Sequence, residues 1–203
     1  MKNIPDIIIG RLPRYLQVLQ RLSKEGVQTT SSQELGKLLG ISSAQIRKDL
    51  SQFGEFGKQG TGYSIAYLIS QLKSILNVNV EWTVALVGAG DMGHALVRYP
   101  GFALRGFRIT AVFDNDPKKI GQKIGNISID NVATLQETLT SAGIKIAMLT
   151  VPATEAQHVA DLLVECGVKA ILNYTSIVLK VPPDVQVKDI DPINSLQHMT
   201  YYL

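Results

Sequence analysis

The chain has 203 residues, of which 45% are hydrophobic and 18% are charged, a composition typical of a soluble globular protein with room for two small cores. Its formal charge of +3 is unevenly placed: residues 1–80 contain ten Lys and Arg against five Asp and Glu, whereas residues 81–203 contain ten against twelve. The single cysteine, Cys166, excludes an internal disulfide and a cysteine-based metal site, no run of the sequence has membrane-spanning length, and neither a metal nor a membrane partner is expected.

The basic first part of the chain predicts helices that alternate with short turns. Between Arg11 and about Glu25, apolar residues recur every three or four positions and predict one amphipathic helix. Ser31 and Glu34 have the spacing of a capping box, and Gly40 stands where the helix that follows should end. A tight turn then leads to another helix, an arrangement typical of a helix-turn-helix.

This next helix is the candidate recognition helix. Ser42 is its expected N-cap, with Gln45 as box partner, and Ile46, Leu50 and Phe53 are its expected buried face. Amide and cationic side chains on the other face suit a major groove, because Gln pairs with adenine and Arg or Lys pairs with guanine. A solvated helix face is the alternative, but the basic charge and the helix spacing favour DNA. The candidate DNA-binding residues on this helix are Ser43, Gln45, Arg47, Lys48 and Ser51.

A glycine-rich stretch, FGEFGKQGTGYSI at 53–65, predicts a tight hairpin. A hairpin behind a recognition helix is typical of a winged helix, whose tip approaches phosphates or the minor groove. Lys58 and Gln59 near the tip are therefore further DNA-binding candidates; a plain surface hairpin is the alternative. A helix from about Ala66 to Leu76 and a polar linker at 77–81 complete this part.

After the linker, strand-like and helix-like segments alternate. This rhythm predicts a parallel sheet covered by helices on both faces. The expected strands are 83–87, 107–113, 145–151 and 169–173, and the expected helices lie near 91–98, 132–142 and 154–166.

The stretch VALVGAGDMGHAL at 84–96 carries Gly88, Gly90 and Gly93 at G-x-G-x-x-G spacing between a strand and a helix. This context predicts a dinucleotide-binding loop, with the pyrophosphate at the helix N-terminus; a merely structural turn is the alternative. Asp114 ends the next strand, 21 residues after Gly93, where a carboxylate accepts hydrogen bonds from the adenosine ribose and favours NAD over NADP.

Other residues bear on whether the dinucleotide is a reagent or a signal. Val151 and Pro152 follow an expected strand and are predicted to wall the nicotinamide side. We interpret His94, His158 and His198 as surface or packing histidines, and Cys166 as a core thiol. Because a dehydrogenase needs a proton donor or acceptor that this short domain does not offer, we expect no enzyme activity and a dinucleotide that acts as a signal.

These motifs together resemble one family, the bacterial redox-sensing transcriptional repressor Rex. The resemblance covers nearly the whole chain and includes RLPRY at 11–15, QIRKDLSQFGEFG at 45–57, VALVGAGDMGHAL at 84–96, YPGF at 99–102, FDNDPKKIG at 113–121, VPATEAQ at 151–157 and LQHMTYYL at 196–203. It implies a homodimer with an exchanged C-terminal helix, operator binding permitted by NAD⁺, and release of the operator by NADH.

The expected architecture is thus a two-domain α/β protein: a winged helix-turn-helix at 1–79, a Rossmann-type parallel sheet at 80–190 and an exchanged dimerisation helix at 191–203. Asp191 as N-cap and Pro192 at the first helical position start that helix. The expected function is an NADH- and NAD⁺-responsive repressor in the cytoplasm, since the sequence shows no signal peptide. The candidate cofactor-binding residues are Gly88, Ala89, Gly90, Asp91, Met92, Gly93, Tyr99, Asp114, Val151 and Pro152.

Some positions depart from the family pattern. Gln59 replaces an Arg of the wing, Gln17 stands where some members have an Arg that pairs with the acid matching Asp191, and Pro192 replaces a bulky apolar residue. Residues 174–176, Tyr-Thr-Ser, stand in place of Phe-Ala-Pro. A divergent paralogue with an altered ligand response is therefore an alternative. Two others are a small NAD-dependent oxidoreductase, which the missing catalytic groups disfavour, and a CoA- or nucleotide-binding module whose winged helix mediates protein contacts, which Asp114 disfavours.

Overall fold

A computed structural model of the chain describes residues 4–58 and 62–203. The chain divides into two compact units, one ending at Val80 and the other beginning at Glu81. Each unit has its own apolar core.

The N-terminal unit is a helical bundle with a small antiparallel sheet, as a winged helix requires. Its helices are α1 (Asp6–Ile9), α2 (Leu12–Lys24), α3 (Ser32–Leu39), α4 (Ser43–Ser51) and α5 (Ile65–Ile75). Its strands are β1 (Thr29–Thr30), β2 (Gly57–Lys58) and β3 (Gly62–Ser64), in the order β1-β3-β2. The helices α2 to α5 and the hairpin β2–β3 confirm the sequence prediction, whereas α1 and β1 were not predicted.

The helix ends form as the sequence predicts. The Ser31 hydroxyl accepts a hydrogen bond from the Glu34 N–H, and the Glu34 carboxylate accepts one from the Ser31 N–H, so the capping box is confirmed. Gly40 then ends α3 with a left-handed backbone (φ 70°), which turns the chain into α4. The leucines of α2, α3 and α5 pack with Ile46 and Leu50 of α4 into one core, which fixes α4 against the bundle.

The C-terminal unit is a mostly parallel sheet with the strand order β10-β9-β8-β4-β5-β7-β6. The strands are β4 (Trp82–Val87), β5 (Phe107–Asp114), β6 (Lys123–Ile124), β7 (Ile127–Asn131), β8 (Ile146–Leu149), β9 (Ala170–Asn173) and β10 (Gln186–Asp189), and the one antiparallel pair recorded in this sheet is β6–β7. The helices are α6 (Asp91–Arg98), α7 (Leu135–Ser141), α8 (Ala153–Glu165) and α9 (Pro192–Thr200), with short 3₁₀ turns at Ala103–Arg105 and Val132–Thr134. The predicted strands correspond to β4, β5, β8 and β9; β6, β7 and β10 were not predicted.

The alternation of side chains along β4 divides the core of this unit. Ala85 and Val87 pack into one cluster with α7 and α8, while Val84 and Leu86 pack into a second cluster with Ile109. Both faces of the sheet are therefore covered, and the strand order reverses beside β4. In a sheet of this kind, ligands bind where the order reverses, at the carboxyl ends of the strands.

The last helix, α9, starts as the sequence predicts. Asp191 is its N-cap and accepts a hydrogen bond from the Ile193 N–H at 2.8 Å, and Pro192 follows at the first helical position. Within the described residues, no helix is long and apolar enough to cross a membrane.

Candidate nucleic-acid interface and candidate dinucleotide site

The outward face of α4 carries exposed cations. Arg47, Lys48 and Ser51 are exposed, and Ser43 is half-buried at the start of the helix. Arg47 Nη1 donates a hydrogen bond to the Ser32 hydroxyl at 3.0 Å, which draws its guanidinium towards the start of α3. The Ser51 hydroxyl donates to the Lys48 carbonyl at 2.9 Å, so its oxygen remains an acceptor. This face can meet phosphates and base edges from one side of the unit.

The inner face of α4 is held by a buried carboxylate that the sequence analysis missed. Asp49 is fully buried and accepts two hydrogen bonds of 2.7 Å from the guanidinium of Arg11 and one of 2.6 Å from the hydroxyl of Tyr15. Burial alone would raise the pKa of the Asp49 carboxyl, but these bonds and one from Gln45 outweigh it, and the pKa lies below its usual value. The pKa of Tyr15 is raised by burial and by the hydrogen bond to Asp49. This network ties α4 to α2.

Gln45 has a different role from the one expected at the start of α4. Ser42 does cap the helix, since its hydroxyl accepts a hydrogen bond from the Gln45 N–H at 3.2 Å. The Gln45 side chain, however, donates its Nε2 to Asp49 at 2.6 Å, so the expected capping box at Ser42 is wrong. This hydrogen bond to Asp49 fixes the orientation of the Gln45 amide and leaves its Oε1 atom as an acceptor.

One further DNA-binding candidate lies on the wing, and α3 adds two more. Lys58 ends β2, and Gln59 lies outside the described residues. Two exposed residues of α3, Gln33 and Lys37, line a surface hollow together with Ser43. The sequence analysis did not single out these two, although Lys37 is a cation in the last turn of the first helix of the motif.

The glycine loop adopts the close approaches that its spacing predicts. Gly88 has a φ of 105°, and a Cβ there would lie 2.6 Å from the Thr150 carbonyl oxygen, so β4 and β8 end in contact. A Cβ at Gly93 would clash with the Gly88 carbonyl oxygen, so α6 starts directly against the loop. Both positions therefore require glycine.

A cavity of about 640 Å³ opens beside this loop at the carboxyl ends of the strands. Its wall combines loop residues, the end of β5, the start of α8 and apolar side chains. The lining residues are Val87, Gly88, Gly90, Asp114, Asn115, Asp116, Lys119, Val132, Thr150, Val151, Pro152, Glu155, His158 and Val159.

Asp114 is engaged by the protein itself. Its carboxylate accepts hydrogen bonds from the backbone N–H groups of Ala89 at 2.7 Å and Asp116 at 2.8 Å, and from Lys119 Nζ at 3.0 Å. Burial alone would raise the pKa of Asp114, but these bonds outweigh it and lower the pKa. A carboxylate accepts about four hydrogen bonds, so little capacity is left for a ribose. Asp114 thus fixes the glycine loop to β5, in addition to any role towards a ligand.

The structure brings part of the predicted cofactor set together. Gly88, Gly90, Asp114, Val151 and Pro152 line the cavity. Ala89 and Asp91 line a hollow that adjoins it at Gly90 and Lys119. Neither lining contains Met92, Gly93 or Tyr99; Tyr99 instead packs edge-on against Phe102 with ring centroids 5.5 Å apart.

Sequence reasoning missed several cavity residues. It also described His158 and Cys166 incompletely. Glu155 and Val132 were not singled out, whereas Lys119 of the FDNDPKKIG motif was expected to lie close to Asp114 and does so. His158 was interpreted as a surface or packing histidine, and it is an exposed residue that lines the cavity. Cys166 was interpreted as a core thiol and is half-buried against the core, where burial raises its pKa.

The cavity fits the pyrophosphate and adenosine part of a dinucleotide. A Cβ at Gly90 would meet nothing within 4 Å, so the glycine leaves open space where a ligand can reach the backbone. The N-terminus of α6 follows at Asp91 and offers backbone N–H groups. The volume lies within the range of about 300–1,000 Å³ that is usual for small-molecule sites.

Two family models match the chain, one in each unit. The model described as "Putative DNA-binding protein N-terminus" matches residues 3–51. The model described as "CoA binding domain" matches residues 79–177.

Relatives match over nearly the full length. A redox-sensing transcriptional repressor Rex of Chloroflexus aurantiacus is 52% identical over 98% of this chain and 94% of its own, and one of Brevibacillus brevis is 43% identical over 100% and 98%. The crystal structure of RSP in complex with β-NAD⁺ and operator DNA has a TM-score of 0.94 at 37% identity, covering 100% of this chain and 93% of RSP. RSP in complex with β-NADH has a TM-score of 0.90 at 35% identity, covering 100% and 95%.

Proposed function

This chain belongs to the family of redox-sensing transcriptional repressors named Rex, and we propose on that premise that it binds operator DNA and releases it when NADH binds. One observation carries the proposal: a single chain joins a unit with an exposed cationic recognition helix to a unit with a glycine-lined cavity of dinucleotide size. RSP, a relative of similar length, forms a complex with β-NAD⁺ and operator DNA.

In the N-terminal unit, α4 enters the major groove. Lys48 and Arg47 supply the cations, and Gln45 presents its free oxygen to a base that carries an amino group. Ser43, Ser51 and Lys58 contact the phosphate backbone, as does Gln59, which lies outside the described residues. Because α4 is tied to α2 through Asp49, the position of these side chains is set before DNA arrives.

In the C-terminal unit, the glycine loop and α6 hold the pyrophosphate, with Gly88, Gly90 and the backbone of Ala89 and Asp91 closest to it. The ribose lies beside Asp114 and Lys119. When bound, the dinucleotide supplies the redox signal, because reduction removes the positive charge of the nicotinamide ring. The residues that distinguish NADH from NAD⁺ are those that surround the nicotinamide ring.

The two halves of the dinucleotide lie on opposite sides of β4. Val151 and Pro152 follow β8 and share a cavity with Asp114, which ends β5, so this cavity spans the end of β4. That Val151 and Pro152 wall the nicotinamide side stays a prediction. The nicotinamide half then lies towards the carboxyl ends of β8 and β9, on the other side of the strand where the order reverses.

The functional unit is a homodimer. In α9, Ile193, Leu196 and Met199 are each about 60% exposed, a strip of apolar side chains that a second copy can cover. We propose that α9 is exchanged between subunits, which brings Pro192 towards the partner's nicotinamide pocket. Met92 and Tyr99, each about half exposed, remain candidates for cofactor binding. A regulator of transcription acts where the chromosome lies, so a cytoplasmic location follows.

The relatives are named as repressors, which makes the chain a regulator and not an oxidoreductase. The divergent-paralogue alternative concerns only the strength of the ligand response. It rests on Gln17, which is exposed, and on Thr175, whose hydroxyl donates a hydrogen bond to buried Asn173 at 2.7 Å.

Selection from a pool of random duplexes tests the DNA part of this proposal, and calorimetry with NADH tests the cofactor part. The enriched duplex should be palindromic, with half-sites about one helical turn or a multiple of it apart. Enrichment of no sequence at moderate salt, or absence of heat with NADH, would contradict the proposed function.

A further inference from the structure

Two ionisable side chains on the cavity rim have no role in the function proposed above. Glu155 and His158 lie one turn apart on α8, so they project from the same face of the helix. Both residues are exposed, and within residues 4–58 and 62–203 the structure records no hydrogen bond to either side chain. Their polar atoms are therefore available to a ligand.

The position of this rim identifies the part of the ligand that it would meet. The cavity runs from the glycine loop past Asp114 and Lys119 to the end of β7, where Val132 stands, and to the first turns of α8. In this class of fold, the acid at the end of the second strand marks the adenosine ribose. The base attached to that ribose comes next, between Val132 and α8. This step rests on the proposed function, because it assumes that the ligand is an adenine dinucleotide.

The walls of this end suit a flat heteroaromatic ring. Val132 and Val159 are apolar, and Val159 is buried, so they can contact the faces of a base. The carboxylate of Glu155 offers acceptors only, and the imidazole of His158 offers a planar ring. Adenine carries an exocyclic amino group that donates hydrogen bonds, whereas hypoxanthine carries an oxygen that accepts them.

We propose that Glu155 and His158 read the adenine base: Glu155 accepts a hydrogen bond from the adenine amino group, and His158 packs against the ring. Glu155 is then a specificity-determining residue, and His158 contributes affinity without regard to the amino group. The site discriminates adenine from 6-oxopurine dinucleotides through one acceptor on α8.

Calorimetry with NADH and with reduced nicotinamide hypoxanthine dinucleotide tests this proposal on the full chain. In the hypoxanthine ligand, a 6-oxo group replaces the 6-amino group and N1 carries a proton. With the 6-position facing Glu155, the oxo oxygen meets the carboxylate as a second acceptor, so the native chain should bind NADH about tenfold more tightly, the scale of one hydrogen bond to a charged group at a partly open site. Equal affinities would overturn the proposal and leave the proposed function intact. Failure of both ligands to bind would overturn the proposed function instead.

Variants separate the two roles. Glu155→Gln should abolish or reverse the preference, because an amide can donate to the 6-oxo group, and Glu155→Ala should abolish it. His158→Ala should weaken both ligands by the same factor. Glu165→Ala, at the other end of α8 and outside the cavity lining, is the matched control and should keep the native preference. A preference that survives in Glu155→Ala would overturn the assignment.

Discussion

Replacing Arg11 by alanine should destabilise the N-terminal unit. The change removes two hydrogen bonds of 2.7 Å from a fully buried carboxylate and leaves Asp49 with only neutral donors, the Tyr15 hydroxyl and the Gln45 amide. Removing one partner of a buried ion pair costs about 3–5 kcal/mol. The Arg11 side chain is 25% exposed, so water can reach part of the gap, and we expect a loss of about 2–4 kcal/mol in the free energy of unfolding.

Urea unfolding followed by circular dichroism measures this loss, and Arg21→Ala is the matched control. Arg21 pairs with Glu25 at 3.8 Å across an exposed helix turn, so its removal should cost less than about 0.5 kcal/mol. The single tryptophan, Trp82, lies in β4 and reports the C-terminal unit separately. Equal midpoints for the Arg11 and Arg21 variants would refute the view that the Asp49 network supports the recognition helix.

The same network predicts a dependence on pH. The pKa of Asp49 is lower in the folded chain than its usual value of about 3.9, so its stabilising contribution is complete above about pH 4. The contribution is lost as the pH falls from there through the folded pKa. Below about pH 4, the free energy of unfolding of the Asp49→Asn variant should therefore fall less steeply with falling pH than that of the native chain. Urea unfolding followed by circular dichroism at several pH values measures both slopes.

Three further predictions concern DNA, cofactor choice and assembly. Arg47→Ala and Lys48→Ala should each weaken operator binding and lower the salt slope by about one unit, while Lys24→Ala, at the end of α2, should not; unchanged slopes in fluorescence polarisation would remove α4 from the interface. NADH should bind more tightly than NADPH in calorimetry, because a 2′-phosphate would lie beside the carboxylate of Asp114, although Lys119 lowers the repulsion, and equal affinities would refute this selectivity. Truncation after Asp189 should convert a dimer into monomer in sedimentation, and a truncated chain that remains dimeric would contradict the exchange of α9.

The sequence predicts the elements whose signals are local. The leucine spacing of α2, the capping box at Ser31 and the glycine loop at Gly88 each depend on residues close together in the chain, and each forms as predicted. Strand β10 was not predicted because Gln186–Asp189 is polar and lacks the apolar run of a buried strand. It forms at the edge of the sheet because it pairs with β9. The two-residue strand β1 likewise depends on pairing with β3.

The sequence does not predict contacts between distant residues. Asp49 follows two cations in an RKD run, and only the approach of Arg11 and Tyr15, more than thirty residues earlier, makes it a buried acceptor. Asp114 stands at the predicted spacing, yet its bond to the Ala89 N–H arises from the meeting of the loop and β5. Glu155 lines the cavity because α8 packs beside it, and the residues around Glu155 in the sequence do not predict this position.

The most direct test of the central claim is operator affinity measured twice, with saturating NADH and with saturating NAD⁺. A ligand shifts the binding equilibrium only by its differential affinity for the DNA-competent and DNA-incompetent states. We expect NADH to weaken operator binding by about 5- to 150-fold relative to NAD⁺, and Gln17 and Pro192 place this chain at the low end. By reciprocity, operator DNA should weaken NADH binding by the same factor. Indistinguishable operator affinities with the two nucleotides would contradict the redox switch and would establish a divergent member of the family.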